Sequence, residues 1–289
     1  MTLAEGITRR IDVGGCALHV ERHGHGTGDP VLVLHGFAGS TRAMAPIIAA
    51  LAEDHEVLAL DLIGHGRSDA PHEAAAYSWH AVTRQLVRAL DALAIEHAHL
   101  FGFSLGGRVA LQLAARHDHR VRSAVLVGCR CAWPEEDACD ARRRSDAALA
   151  ARIDVAGFAA LAAPGADGDA IDAAAPRAGA HGLALALRGL GAADQPEVAA
   201  QLALSALPLC LIAGSNDAGP LAASRALASD LPCAHVVGIA GTGHRAHLER
   251  TDEVARHARG FYRAVETERQ LPTEPRAQHA AGGPGERRW

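Results

Sequence analysis

The sequence contains no lysine, and all 28 of its Lys and Arg positions are arginine. That absence excludes Schiff-base chemistry and the phosphate-binding loop that ends in a lysine. Basic charge is not in excess either. With a formal net charge of -5 the chain offers no footprint for nucleic acid. No uninterrupted apolar stretch reaches the ~18 residues of a membrane span, and the opening MTLAEGITRR lacks the apolar core of a signal peptide. The expectation is a soluble cytoplasmic protein that engages neither nucleic acid nor membrane.

Six cysteines (Cys16, Cys129, Cys131, Cys139, Cys210, Cys233) are too scattered to frame a disulfide scaffold, and a chain this long folds without one. Free thiols are expected. Cys129-x-Cys131 lacks the second half of a zinc site. His97, His99, His117 and His119 lack His-x-x-x-His spacing and a third ligand. No metal site is read from the sequence.

Against these absences stands FGFSLGG at 101 to 107. Within it Gly102-Phe103-Ser104-Leu105-Gly106 is a G-x-S-x-G pattern between an apolar run and a helix-like one, so Ser104 is expected on a sharp strand-to-helix turn. Glycines on both sides permit the tight backbone path, and the Leu105 amide is left to face a bound oxygen.

Other buried strands read as continuous apolar runs at 30 to 34, 56 to 62, 121 to 127 and 207 to 213, with an alternating one at 16 to 21. Helical segments at 41 to 53, 79 to 95, 105 to 115, 219 to 230 and 252 to 265 separate them. Strand and helix alternating in this way predict an α/β fold: a mostly parallel central sheet with helices on both faces. The alternation stops from 129 to 195, which predicts a helical lid inserted between two parts of the core (1 to 128 and 196 to 265). The tail from 266 to 289 is rich in Pro, Gly and charge and predicts disorder.

Two further landmarks complete a chemistry. Asp217 follows the buried run at 207 to 213, and His244 lies on the glycine loop after the strand at 234 to 239. The order Ser, Asp, His separates this arrangement from the protease orders. Ser104 needs His244 to take its proton, Asp217 would fix the tautomer, and the amides of Phe37 and Leu105 would bind an oxyanion. Such parts serve acyl transfer and proton abstraction beside a carbonyl alike. The glycine-rich loop DLIGHGRS at 61 to 68 reads as structural punctuation rather than a phosphate site.

These residues resemble the α/β-hydrolase superfamily, on HG at 35 to 36, DLIGHGRS, GFSLGG, Asp217 and His244. More narrowly, HGFAGS at 35 to 40, GFSLGGRVAL at 102 to 111, ARRRSDAALAARI at 141 to 153, LRGLGAADQP at 187 to 196 and GTGHRAHLE at 241 to 249 resemble 2-succinyl-6-hydroxy-2,4-cyclohexadiene-1-carboxylate synthases of menaquinone biosynthesis. That resemblance implies elimination of pyruvate from an enolpyruvyl cyclohexene carboxylate, with the triad as base and no cofactor. It also implies that His35, Arg108, Arg142 and Arg188 contact a small carboxylate substrate. Phe103 stands where the family often has tyrosine, and 158 to 171 lacks the usual aromatic cluster. Open alternatives are a serine carboxylic-ester hydrolase and a non-catalytic binding protein of the same fold, as a monomer or homodimer.

Overall fold

The computed structural model describes residues 7–26, 28–130, 136–161 and 179–270. Its frame is an eight-stranded sheet: β1 (Ile7–Asp12), β2 (Ala17–His23), β3 (Val31–Leu34), β4 (Val57–Leu60), β5 (Ala98–Phe103), β6 (Val121–Val127), β7 (Leu209–Gly214) and β8 (Ala234–Ile239). The spatial order is β1-β2-β4-β3-β5-β6-β7-β8. β1 to β2 and β2 to β4 are antiparallel; every other pairing is parallel.

Period-two geometry explains the continuous apolar runs, because both faces of the sheet are covered. Leu32, Leu34, Leu100, Ala124, Leu126, Leu209 and Leu211 face one core, with α2 (Trp79–Ala92) and α3 (Leu105–Arg116) over them. The alternate residues Val31, Val33, Phe101, Phe103, Val125, Val127, Cys210 and Ile212 face the other. There they meet α1 (Ala45–Leu51) and the last helix. Ser78 caps α2 by accepting from the Ala81 amide at 3.2 Å.

Between β6 and β7 lie α4 (Glu136–Ala156), α5 (Ala180–Gly189) and α6 (Ala199–Ser205). After β7 come α7 (Ala218–Asp230), β8, the single turn α8 (Ala246–Glu249) and α9 (Thr251–Gln270).

Three features depart from the sequence reading. β1 was not expected: its side chains are exposed except Ile11, so it carries no apolar signature. It forms because Asp12 Oδ1 accepts from the Gly14 amide at 2.7 Å, and Gly14 and Gly15 adopt φ of 98° and 95° in the hairpin. The helix expected from 41 starts four residues later behind a 3-10 turn, with Pro46 in its first turn, where a missing amide costs nothing. α9 continues five residues past its expected end at 265, and Arg269 pairs with Asp29 at 3.2 Å. The remainder of that tail, 271 to 289, and the stretch 162 to 178 with Pro164, Pro176 and Arg177 lie outside the described residues, as do Cys131 and Pro134. No helix among the described residues is long and apolar enough to cross a membrane.

β3 lies between β4 and β5, so the chain leaves β3 in one direction and returns to cross it in the other. In open parallel sheets ligands gather at the carboxyl ends of strands flanking such a reversal. Phe37 follows β3 and Ser104 follows β5.

Candidate active site

Ser104 sits between β5 and α3 with φ 50° and ψ -110°, a backbone state that an L-residue adopts at a cost on the order of 1–3 kcal/mol. Its amide bonds to Val127 O at 2.9 Å, which holds the turn against β6. The turn is possible because α3 presses onto the strands: a Cβ on Gly106 would lie 2.3 Å from Leu34 O and 2.5 Å from His35 O.

His244 comes from the loop after β8, where Gly241 has φ 72°. Its Nε2 is 3.1 Å from Ser104 Oγ, and its Nδ1 is 2.7 Å from Asp217 Oδ2. An ionised carboxylate only accepts, so Nδ1 carries the proton and Nε2 is left to accept from the serine hydroxyl. Asp217 occupies the turn after β7, fixed by its amide on Gly214 O at 3.0 Å. The Asn216 amide reaches Thr242 O at 2.9 Å and ties the acid loop to the histidine loop. Beneath the pair, Phe103 packs 5.2 Å from the His244 ring and 4.0 Å from that of His247. Burial, with the nearby His244 and Arg245 adding to it, pushes His247 down to about 3, so it adds no charge under the site.

Leu105 is the first residue of α3, where an amide has no intrahelical acceptor. Phe37 lies in a turn closed by the Gly39 amide on Gly36 O at 3.1 Å, with Ala38 at φ 56°. Ser104, Asp217, His244 and the Phe37 residue line one cavity of about 390 Å³ beneath α4 and α5. A nucleophilic or basic oxygen and a relay to a carboxylate, set in one cavity with Phe37, are parts needed where negative charge develops on a carbonyl oxygen.

The alpha/beta hydrolase fold family matches residues 29–151. A protein of Pseudomonas savastanoi pv. phaseolicola named "Putative carbamate hydrolase RutD" is 34% identical over 236 residues, covering 76% of this chain and 88% of that one. The chain belongs to the α/β-hydrolase family. Other matches are partial: a Variovorax paradoxus protein of the same name is 43% identical over 126 residues, 43% of this chain and 46% of its own length. The chain thus spans less than half of that relative. A Bacillus subtilis protein named "Putative 2-succinyl-6-hydroxy-2,4-cyclohexadiene-1-carboxylate synthase" is 26% identical over 250 residues, 82% of this chain and 91% of that one. Among solved structures, MenH from S. aureus superposes with a TM-score of 0.74 at 25% identity, over 86% of this chain and 98% of that one. The chain therefore carries the α/β-hydrolase fold, with relatives named as hydrolases and as a synthase.

Within this α/β-hydrolase site the expected substrate contacts divide. Arg108, one turn into α3, lines the cavity and is only 7% exposed; its Nη1 donates to Leu190 O at 2.9 Å and its guanidinium stacks 5.5 Å over Trp79. Arg142 lines the cavity from α4 and pairs with Asp146 at 2.8 Å. His35 is a correction. Its ring is buried away from the cavity, Nε2 accepts from the Leu62 amide at 3.0 Å and Nδ1 bonds to Gly36 O at 2.7 Å, so it braces the β3 turn and has no nitrogen left for substrate. Burial keeps it neutral, pushing its pKa down to about 4.

Arg188 is the second correction. It does not line the cavity; its half-exposed guanidinium pairs with Asp154 on α4. Leu183, Ala184 and Leu187 are the buried side of α5, and residue 188 lies about 100° round the helix from 187. Two other arginines line the cavity in its place, Arg130 and Arg152. Arg152 was legible in the spacing: 142, 145, 149 and 152 recur at intervals of three and four, one face of α4, and all four line the cavity. Arg130 carried a weaker signal, its place just past the carboxyl end of a buried strand.

The loop at 61 to 68 is turned inward. Asp61 accepts from the Thr41 amide at 2.6 Å and the Arg67 amide at 2.8 Å, and its carboxylate fills the space a Gly66 side chain would need.

Proposed function

We propose that this α/β-hydrolase-fold enzyme acts on a small polycarboxylate, and specifically that it is a lyase releasing pyruvate from 2-succinyl-5-enolpyruvyl-6-hydroxy-3-cyclohexene-1-carboxylate. One observation carries the substrate class: four guanidinium groups, Arg108, Arg130, Arg142 and Arg152, line the cavity that holds Ser104 and His244, against two carboxylates, Asp146 and Asp217. Planar, permanently charged forks match carboxylates. Likeness to the B. subtilis synthase over 91% of its length supports the reaction class.

In this reading Ser104 Oγ takes the ring proton next to the succinyl carbonyl and passes its own to His244 Nε2. The electron pair enters the ring, the ring double bond shifts, and the carbon-oxygen bond to the enolpyruvyl group breaks. His244 returns its proton to the departing enolate carbon, giving pyruvate and restoring the serine and histidine. Asp217 stabilises the imidazolium in between, and the Phe37 and Leu105 amides hold the charge that grows on the carbonyl oxygen, a contribution worth about 100-fold to 1000-fold in rate. Every step uses groups of this chain, and no cofactor enters.

A second reading, a serine hydrolase working through an acyl-enzyme on Ser104, is favoured by the relative named as a carbamate hydrolase at 34% identity over 88% of its length. Pyruvate release by the purified protein decides between them, with Ser104→Ala and Arg142→Ala as controls and a p-nitrophenyl ester assayed in parallel. Release that collapses in both variants is the expected result. Ester turnover that depends on Ser104, without pyruvate, would overturn the lyase assignment and leave the hydrolase.

A further inference from the structure

The two edges of the sheet are built differently. β1 carries Arg9, Arg10 and Asp12 along its exposed length, charges of the kind that keep an edge strand from pairing with another chain. β8, the opposite edge, reads Ala-His-Val-Val-Gly-Ile and holds no arginine or carboxylate. The Leu209 amide donates to Cys233 O at 3.0 Å and the Ser215 amide to Ile239 O at 2.9 Å, so the odd-numbered residues of β8 turn their backbone groups toward β7. Alternation turns those of Val236 and Gly238 outward, and among the described residues nothing pairs with them. Two glycines mark the same border. Gly238 lies inside β8 and Gly260 inside α9, where glycine weakens either element, yet neither has a positive φ and a Cβ on either would meet nothing within 4 Å. The packing of the single chain requires neither. α9 flanks β8 through Phe261, whose ring stands 5.1 Å from that of His235. His257, Gly260, Phe261 and Ala264 recur at intervals of three and four on that face, whereas Arg259 is held by Glu53 and Asp54 on the other.

We propose that β8 is a homodimer seam: two copies of this chain pair their β8 strands antiparallel about a two-fold axis at Val237, joining two eight-stranded sheets into one. In that register Val236 lies opposite the partner's Gly238 and Gly238 opposite the partner's Val236, and each pair exchanges two backbone hydrogen bonds. The groups used are the ones left unpaired in the single chain, and a strand edge is complementary to its own antiparallel copy. No like charges meet at the join, because β8 carries none of either sign. Gly238 leaves room for the partner's Val236 side chain on the same face, and Gly260 lets the flanking helices draw close. Antiparallel pairing sends the carboxyl ends of the two β8 strands in opposite directions. Each chain therefore keeps its own Ser104, Asp217 and His244, and the seam stands or falls independently of the reaction proposed above.

Sedimentation velocity of the full chain over a concentration series tests the seam, with circular dichroism to check folding. Wild type is expected to pass from a 30.0 kDa monomer to twice that mass as concentration rises. Gly238→Arg and Gly260→Arg place a bulky cation where the single chain has open space and the partner would lie, so both should stay folded and monomeric throughout. Cross-linking reads the register, in a Cys233→Ser background that removes the exposed thiol beside β8. Val237→Cys should form an intermolecular disulfide on mild oxidation, because residues facing each other in a non-hydrogen-bonded antiparallel pair have Cα atoms about 4.5 Å apart, within disulfide reach. Val236→Cys should not, since its own copy sits on the diagonal at about 7–8 Å. A wild type that is monomeric at every concentration would overturn the seam. A dimer that survives Gly238→Arg would do the same by placing the contact elsewhere, as would cross-linking of Val236→Cys equal to that of Val237→Cys.

Discussion

Lowering the pH from 7 to 5 should cost this protein most of its stability, because four histidines are buried in the neutral state. His35 and His99 are pushed down to about 4, and His65 and His247 to about 3, in each case chiefly by burial. The hydrogen bonding of His35 agrees with neutrality, since its Nε2 accepts from the Leu62 amide. In the unfolded chain each titrates near 6.5. Folded pKa values below the unfolded one mean that the stabilisation is complete above about pH 6.5 and is lost as pH falls toward 4, where only the unfolded state binds the proton. At pH 5 the gap of about 1.5 units below the unfolded pKa costs about 2 kcal/mol per histidine, and on the order of 8 kcal/mol for four. The sum is an upper bound, since His35 and His65 lie 5.2 Å apart and are coupled. Whole domains are stable by about 5–15 kcal/mol, so a loss of this size is decisive. Buried Asp61 works the other way, since burial raises its pKa against the amides of Arg67 and Thr41 that lower it. Urea denaturation followed by tryptophan fluorescence at pH 7, 6 and 5 should show the midpoint falling steeply below pH 6.5. A midpoint constant across that range would refute the buried-neutral assignment.

Three perturbations test the rest of the site's construction. Gly106→Ala drives a Cβ into Leu34 O and His35 O, neither of which can rotate away, so a stability loss above about 2 kcal/mol by denaturant titration and loss of turnover are expected together. Asp217→Asn keeps the shape but lets an amide donate to His244 Nδ1, reversing the tautomer; turnover should fall on the order of 10,000-fold while folding is unchanged. Arg188→Ala removes a half-exposed ion pair with Asp154 and should leave the denaturation midpoint nearly unchanged, with KM unchanged, where a substrate contact would raise KM about tenfold or more.

The parallel core was readable in the sequence because covering both faces of a strand demands apolar residues at every position, as in Val31–Leu34 and Leu209–Gly214. β1 was not readable for the opposite reason. At an edge with exposed side chains nothing selects for apolar residues, and Ile7 itself is 62% exposed; the backbone register to β2, from Ile7 opposite Arg22 to Asp12 opposite Ala17, makes the strand. The Asp-Val-Gly-Gly hairpin at 12 to 15 was the available signal, and it lies in the turn rather than the strand.

The candidate site divides along the same line. Ser104 and Asp217 follow the buried strands β5 and β7 and His244 follows the half-exposed edge strand β8, so reading the strands already placed all three at one end of the sheet, and loop lengths too short to wander brought them within 3.1 Å. Arginines on helices obey no such constraint. Rotation about a helix axis decides whether a guanidinium meets the cavity or the solvent, and that rotation is set by packing: α5 buries Leu183, Ala184 and Leu187, which turns Arg188 toward Asp154. His35 failed as a substrate contact because a residue ending a buried strand can point above or below the turn, and the Leu62 amide claims its ring from below. Arg130 is fixed by neither rule. It depends on the absence of a side chain at Gly219, far along the chain, so the pairing becomes visible only when β6 and α7 are set side by side. The strand-borne half of the site therefore follows from the order of the sheet, while the arginine half is placed by helix rotation and, at Arg130, by one missing Cβ.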